Sequence, residues 1–305
     1  MTTAMTVKIL DSALVERWLS FSQIKPASVK SYVKGIKNFA AYCQVKSITV
    51  PTREDILNYR RYLELSYKSA ATRNLYLTAT KIFFNFLNVE GVFSGNPTES
   101  IKGFKVSTTH KKDAVKPAQN KQILKSIDTS TILGKRNKAM YALMAICALR
   151  TIEVSRAKIE NLVEESGESW LYVQGKGRDN ADEKVKLPQV VVSLIREYIQ
   201  ARGEVEATAP LFASLSNRNY GKAISTGTIS TIVKNLFRQN GIESARMTAH
   251  SLRHGAATTA IKAGANLRQV QQFMRHSKVD VTTRYLHDID RAANPCENLI
   301  AAAIF

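Results

Sequence analysis

Several features are scarce or missing in this chain. Its 305 residues hold three cysteines, Cys43, Cys147 and Cys296, far apart and without a C-x-x-C pair. That argues against a disulfide framework or a zinc site. No apolar run approaches the roughly 18 residues of a membrane span. The first 25 residues carry Asp11 and Glu16 and no apolar segment of signal-peptide type, so a cytoplasmic location is expected. There is no G-x-x-x-x-G-K-[ST] loop for a nucleotide and no run of carboxylates at metal-ligand spacing. No cofactor and no metal are therefore expected. Internal repeats and long low-complexity segments are missing too. Acid is also short: 25 Asp and Glu stand against 44 Lys and Arg, a net charge of +19.

That charge is not a tail. Residues 1–106 carry +8 and residues 107–305 carry +11. A basic surface on both halves points to a polyanion partner, most simply nucleic acid. The length suits two domains.

Apolar periodicity predicts helices over most of the chain. Residues 8–22 form an amphipathic stretch with Leu14, Val15, Trp18, Leu19 and Phe21 apolar. Pro26 and Ser28 open a second helix, with Ile36, Phe39 and Cys43 on one face and Lys30, Lys34 and Lys37 on the other. Thr52, followed by Glu54 and Asp55, starts a third. Ser69 begins a fourth, with Phe83, Phe86 and Leu87 inward and Arg73 and Lys81 outward. These four make a small helical domain, 8–101. Residues 102–116, rich in lysine and including Lys105 and His110, are expected as an exposed basic linker. Pro117 opens the second domain, 117–305, with helices near 118–128 and 134–148. Cys147 is expected in its core. Strand-like runs follow at Ala157–Val163, Trp170–Gln174 and Lys184–Leu187, the last two joined by the turn G-K-G-R-D-N. Further helices are expected from Pro188 to Gln200 and from Thr226 to Asn240, the latter closed by Gly241. The fold class expected is mainly α, with a small antiparallel β-sheet in the second domain.

The most informative stretch is Ala249–Tyr285. Four of the five histidines (His250, His254, His276 and His287) fall within 38 residues, together with Arg253 and Tyr285. His250 and Arg253 are three apart and share a helix face. Gly264 and Asn266 end that helix. Leu267, Val270, Phe273 and Met274 form another, and His276 lies just past it. Upstream, Arg150 stands in L-R-T-I-E, three residues before Glu153, and Lys176 sits in the turn V-Q-G-K-G-R.

This order resembles the tyrosine recombinase (phage integrase) family, and the resemblance covers essentially the whole chain. The family's pattern is an arginine followed three residues later by an acid, a lysine on a turn between strands, an H-x-x-R box, a histidine after the next helix, and a tyrosine about nine residues on. Ala148 departs from the family's G-L-R, and Arg275 replaces the glycine usual before the histidine, so a different local turn is expected there. The resemblance implies a helical DNA-binding domain and a catalytic domain closing as a C shape on duplex DNA. It implies Tyr285 as nucleophile, forming a covalent 3′-phosphotyrosyl link. Arg150 and Arg253 would bind the non-bridging oxygens, replacing a metal as the source of positive charge. His250 would accept the phenolic proton, His276 would hydrogen-bond the phosphate, and Lys176 would protonate the leaving 5′-oxygen. Glu153 would support Arg150, and His254 would pack. Lys30, Lys34, Arg73, Lys105 and Arg178 are candidate phosphate contacts. The extra arm-binding domain of large phage integrases is not expected ahead of the first helix, which favours an Xer-like or simple mobile-element enzyme. The competing readings are a type IB topoisomerase-like strand transferase and a non-enzymatic DNA-binding protein of this fold.

The tail reads N-P-C-E-N-L-I-A-A-A-I-F. Asn294, Pro295 and Glu297 start a helix over 295–305 that is too apolar to stay solvated and too short to span a membrane. The family's habit implies docking in a neighbouring subunit, and so a homo-tetramer on paired sites from a monomer or dimer off DNA.

Overall fold

The computed structural model describes residues 12–106, 113–175, 178–276 and 296–304. The expectations for Lys176, Tyr285, His110 and the middle of the basic linker lie outside the described residues. The chain divides into two units, Met1–Ser107 and Thr108–Phe305.

The first unit is helical: α1 (Ser12–Phe21), α2 (Pro26–Val45), α3 (Arg53–Ser66) and α4 (Ala70–Val89). The Thr52 hydroxyl accepts the Asp55 amide, and the Asp55 carboxylate accepts the Thr52 amide at 2.8 Å, closing a reciprocal cap at the start of α3. The core is aromatic, built on Trp18, Phe39, Tyr59, Phe83, Phe84 and Phe86. Helices α2 and α4 approach closely at Gly35, where a β-carbon would sit 2.8 Å from that of Ala79.

The segment read as an exposed linker is anchored at both ends. Phe104 is buried, and Asn74 on α4 pairs with its backbone amide and carbonyl, both at 2.8 Å. The Arg60 guanidinium lies 4.4 Å from the centre of its ring. Lys81, expected outward, donates to the Ile101 carbonyl. In the second unit Val115 is buried, and its amide donates to the Ser251 carbonyl at 3.3 Å. Phe104 and Val115 are large apolar groups in an otherwise polar stretch, and each finds the core of its own unit.

The second unit contains α5 (Pro117–Ser126), α6 (Ile132–Ile146), α7 (Thr151–Arg156), β1 (Leu162–Glu165), β2 (Glu168–Val173) and β3 (Glu183–Leu187). It continues with α8 (Gln189–Arg202), α9 (Thr226–Gln239), α10 (Ala249–Lys262), α11 (Leu267–Met274) and α12 (Cys296–Ile304). Residues Ala139–Ala145 of α6 are buried on every side, against α8 and α10 among others, and Cys147 is buried as expected. The sheet is antiparallel in the order β1-β2-β3. Leu171, Val173, Val185 and Leu187 face the core in strict alternation. The first strand starts later than the sequence suggested. Ile159–Asn161 form a 3₁₀ turn, because the Asn161 side chain accepts the Lys158 amide at 2.9 Å, and the ladder begins at Leu162. Gly241 takes φ +72°, closing α9 in the left-handed conformation expected of it.

Candidate active site

Three elements of the second unit bring charged groups to one place: the start of α7, the first turns of α10 and the end of α11. Arg150 sits just before α7. Its amide donates to Glu153 Oε2 at 2.8 Å and its Nη1 to Glu153 Oε1 at 2.5 Å. Glu153 is fully buried, whereas a quarter of the Arg150 side chain is exposed. Burial pushes the Glu153 carboxyl up, but the Arg275 guanidinium, and then the amide and guanidinium of Arg150, hold it below its ordinary range. It is therefore ionised at neutral pH.

Arg253 is buried on α10 and donates to the backbone carbonyls of Ala148 and Met274. A guanidinium stays charged in proteins, so its burial demands such acceptors. These two bonds tie α10 to the turn before α7 and to the end of α11. His250 lies one turn earlier on α10 and is exposed. His276 follows α11, its amide and carbonyl both held by Gln271, at 3.1 Å each. Burial, then the charges of Arg253, Arg150, Arg275 and His250, lower its pKa from 6.5 to about 4. His276 is therefore a neutral imidazole at pH 7. His254 is buried, with Nδ1 3.1 Å from the Thr258 hydroxyl.

The turn that carries Lys176 can be followed up to its neighbours. Gln174 donates to the carbonyls of Arg178 and Asp179 at 2.8 Å each. Arg156, at the end of α7, donates to the Gly175 carbonyl at 3.2 Å. The stem of this hairpin thus leans on the helix that Arg150 begins. Arg178 pairs with Asp182 at 2.8 Å and with Glu183 at 2.9 Å, so its charge is largely answered within its own hairpin. In the first unit Lys30 and Lys34 are exposed along one side of α2, and Lys105 is exposed. Arg73 differs from the outward placement expected: its Nε donates to the Tyr67 carbonyl at 2.5 Å and its guanidinium lies 5.6 Å from the Phe104 ring centre.

The family model described as "Phage integrase family" matches residues 114–291, and "Phage integrase, N-terminal SAM-like domain" matches residues 15–91. The chain belongs to the phage integrase family and is a tyrosine recombinase. It is 26% identical over 283 residues to the tyrosine recombinase XerD of Listeria monocytogenes, covering 90% of each chain. It is 30% identical over 224 residues to XerC of Lactobacillus delbrueckii, covering 72% of each. Among solved structures, the XerH site-specific recombinase bound to its difH substrate before cleavage superposes with a TM-score of 0.69 at 18% identity. That match spans 92% of this chain and 83% of the other, a likeness of fold.

One charged residue of this recombinase's site was not assigned a role from sequence. Arg275, in the place of the expected glycine, has its side chain nearly buried, 2.9 Å from Glu153 Oε2. Arg275 takes φ +51° and ψ +50°, the left-handed conformation that glycine favours. The signal that could have found it was its charge, an arginine at a glycine position beside the histidine.

Proposed function

We propose that this recombinase cleaves and rejoins duplex DNA through Tyr285, with Arg150 and Arg253 binding the scissile phosphate. His276 donates a hydrogen bond to a non-bridging oxygen, His250 takes the phenolic proton, and Lys176 protonates the leaving 5′-oxygen. The observation that carries this reading is the convergence of Arg150 and Arg253 on the Ala148 turn, with a neutral His276 that feels the charge of both. Attack on a phosphodiester adds negative charge to its non-bridging oxygens, and preorganised guanidiniums stabilise it without rearranging. The phosphotyrosyl bond conserves the energy of the broken one, so a second 5′-hydroxyl can rejoin it without a nucleotide. Domains at 8–101 and 117–305, the latter catalytic, and a cytoplasmic place of work complete the reading. Lys30, Lys34, Lys105 and the lysines of the linker supply backbone contacts.

The assembly we propose is a tetramer on paired sites, held by α12. Ile300 and Ile304 are 59% and 69% exposed. A groove of about 640 Å³ on the second unit is lined by Leu124, Ala145, Ile146, Ala256, Ala260 and Phe273. An exposed apolar helix and an apolar groove in the same unit suit exchange between copies.

The decisive experiment on the chemistry is Tyr285→Phe with a duplex nicked near the cleavage point. Full DNA binding and no covalent adduct on a denaturing gel are expected, since only the phenolic oxygen is lost. An adduct that persists places the nucleophile elsewhere.

A further inference from the structure

Two non-glycine residues of this site hold left-handed backbone, Ala148 at φ +54° and Arg275 at φ +51°. Such strain persists only where the surroundings fix it. Here the two positions fix each other. Arg275 Nη2 lies 3.3 Å from the Ala148 carbonyl and 2.9 Å from Glu153 Oε2, while Nη1 donates to the Phe273 carbonyl at 2.9 Å. The Ala148 carbonyl also accepts from Arg253, and the Arg275 carbonyl lies 3.4 Å from Arg150 Nη2. One side chain thus joins the turn before α7 to the turn after α11, between Arg150 and His276.

The electrostatics explain what the link does. Glu153 is a fully buried carboxylate with two oxygens to satisfy. The Arg150 guanidinium answers one, and the Arg275 guanidinium shares the other with the Arg150 amide. Without Arg275 the second oxygen has a ready alternative, the rest of the Arg150 fork, because a guanidinium and a carboxylate pair bidentately when nothing prevents it. Arg150 would then be drawn into α7 and turned from the phosphate. With Arg275 present, two guanidiniums face one carboxylate, and the surplus charge stays on the open side of the site.

We propose that Arg275 is a positioning residue for DNA cleavage. It occupies one oxygen of Glu153 and one lone pair of the Ala148 carbonyl, which holds Arg150 and His276 in a single frame and keeps the charge of Arg150 for the phosphate. The proposal rests on the reading that Arg150 and His276 face the scissile phosphate.

The test uses the full chain and a nicked duplex carrying the cleavage sequence, recovered by sequencing DNA ends trapped on the protein. Arg275→Gly relieves the left-handed backbone, so a defect reports the lost guanidinium and not the turn. Single-turnover adduct formation is expected to fall about 10²-fold while duplex affinity stays within about 3-fold, the pattern of a group that acts in the transition state. Arg275→Lys, which keeps the charge but loses the fork, is expected to recover roughly 10-fold of that loss. Replacing a non-bridging oxygen of the scissile phosphate by methyl removes the charge that Arg150 must meet. On that substrate the gap between Arg275→Gly and wild type is expected to narrow to under about 5-fold.

A wild-type rate for Arg275→Gly overturns the proposal. So does a rate loss matched by lost duplex binding, or a gap unchanged on the methylphosphonate. If Arg275→Gly does not fold, Arg275→Gln and Arg275→Lys decide in its place: Gln must be slow and Lys partly recovered, and equal rates overturn the idea. Arg150→Ala separates this from the reading beneath it. If Arg150→Ala cleaves normally, the reading of the site falls. If Arg150→Ala is inactive beside a fully active Arg275→Gly, only this inference falls.

Discussion

His276 shows how far a single side chain is governed by its neighbours. Partial burial and surrounding positive charge bring its pKa to about 4 from an ordinary 6.5. A neutral imidazole can donate one hydrogen bond to a phosphate without adding to the charge that Arg150 and Arg253 already provide. The shift also has a consequence for stability. As pH falls from 7, the unfolded chain takes up this proton first, so the unfolded state binds more protons between about 6.5 and 4. The stability contributed by an uncharged His276 is full above about 6.5 and is lost as pH falls toward 4. Nuclear magnetic resonance of the imidazole Cε1 proton in the free protein is expected to give a midpoint near 4. A midpoint near 6.5 would mean that the guanidiniums do not surround it.

At the scale of elements, the site depends on close approaches between backbones. On α10, Gly255 lies against the incoming strand of chain: a β-carbon there would fall 2.4 Å from the Val115 carbonyl oxygen and 3.0 Å from the Val115 nitrogen. Both are backbone atoms and cannot swing aside. Gly255→Ala is therefore expected to push residues 113–116 off α10, weaken the Val115–Ser251 hydrogen bond and cost about 1–3 kcal/mol. Chemical denaturation would show this as a lower midpoint with an unchanged slope. Equal stability would mean that the segment is not seated on the helix. Because Arg253 lies two residues before Gly255, cleavage is expected to suffer along with stability.

For the molecule as a whole, the predictions concern charge and assembly. A net charge of +19 on two units makes binding to a polyanion strongly salt-dependent. Replacing Lys34 by alanine is expected to lower the slope of log affinity against log salt by about 1, almost equally for any duplex sequence. An unchanged slope takes Lys34 off the DNA. Truncation after Ala293 is expected to leave single-site binding nearly intact while abolishing cooperative binding and recombination. If the shortened chain still assembles on paired sites and recombines them, α12 does not hold the subunits together. If it unfolds, the tail belongs to its own core.

Sequence alone determined the mainly helical fold, because apolar side chains at helical spacing have only one way to leave water together. It also determined the small sheet, through the strand-like runs Trp170–Gln174 and Lys184–Leu187 joined by the turn G-K-G-R-D-N, and the order in which the candidate charged residues follow one another. Local signals such as the Thr52–Asp55 cap and the Gly241 stop were legible for the same reason: each acts within a few residues. The first strand was misplaced by several positions because a single side-chain bond, Asn161 to the Lys158 amide, outcompeted strand pairing. What only tertiary structure decided was how charge is shared. Arg73 looked outward by periodicity, but it is turned in by the Tyr67 carbonyl and the Phe104 ring. Arg275 looked like the loss of a glycine, yet it reaches from the end of α11 to Glu153 on α7. A buried carboxylate takes whatever cations the fold brings within about 3 Å, and distances between residues so far apart along the chain exist only once it has folded.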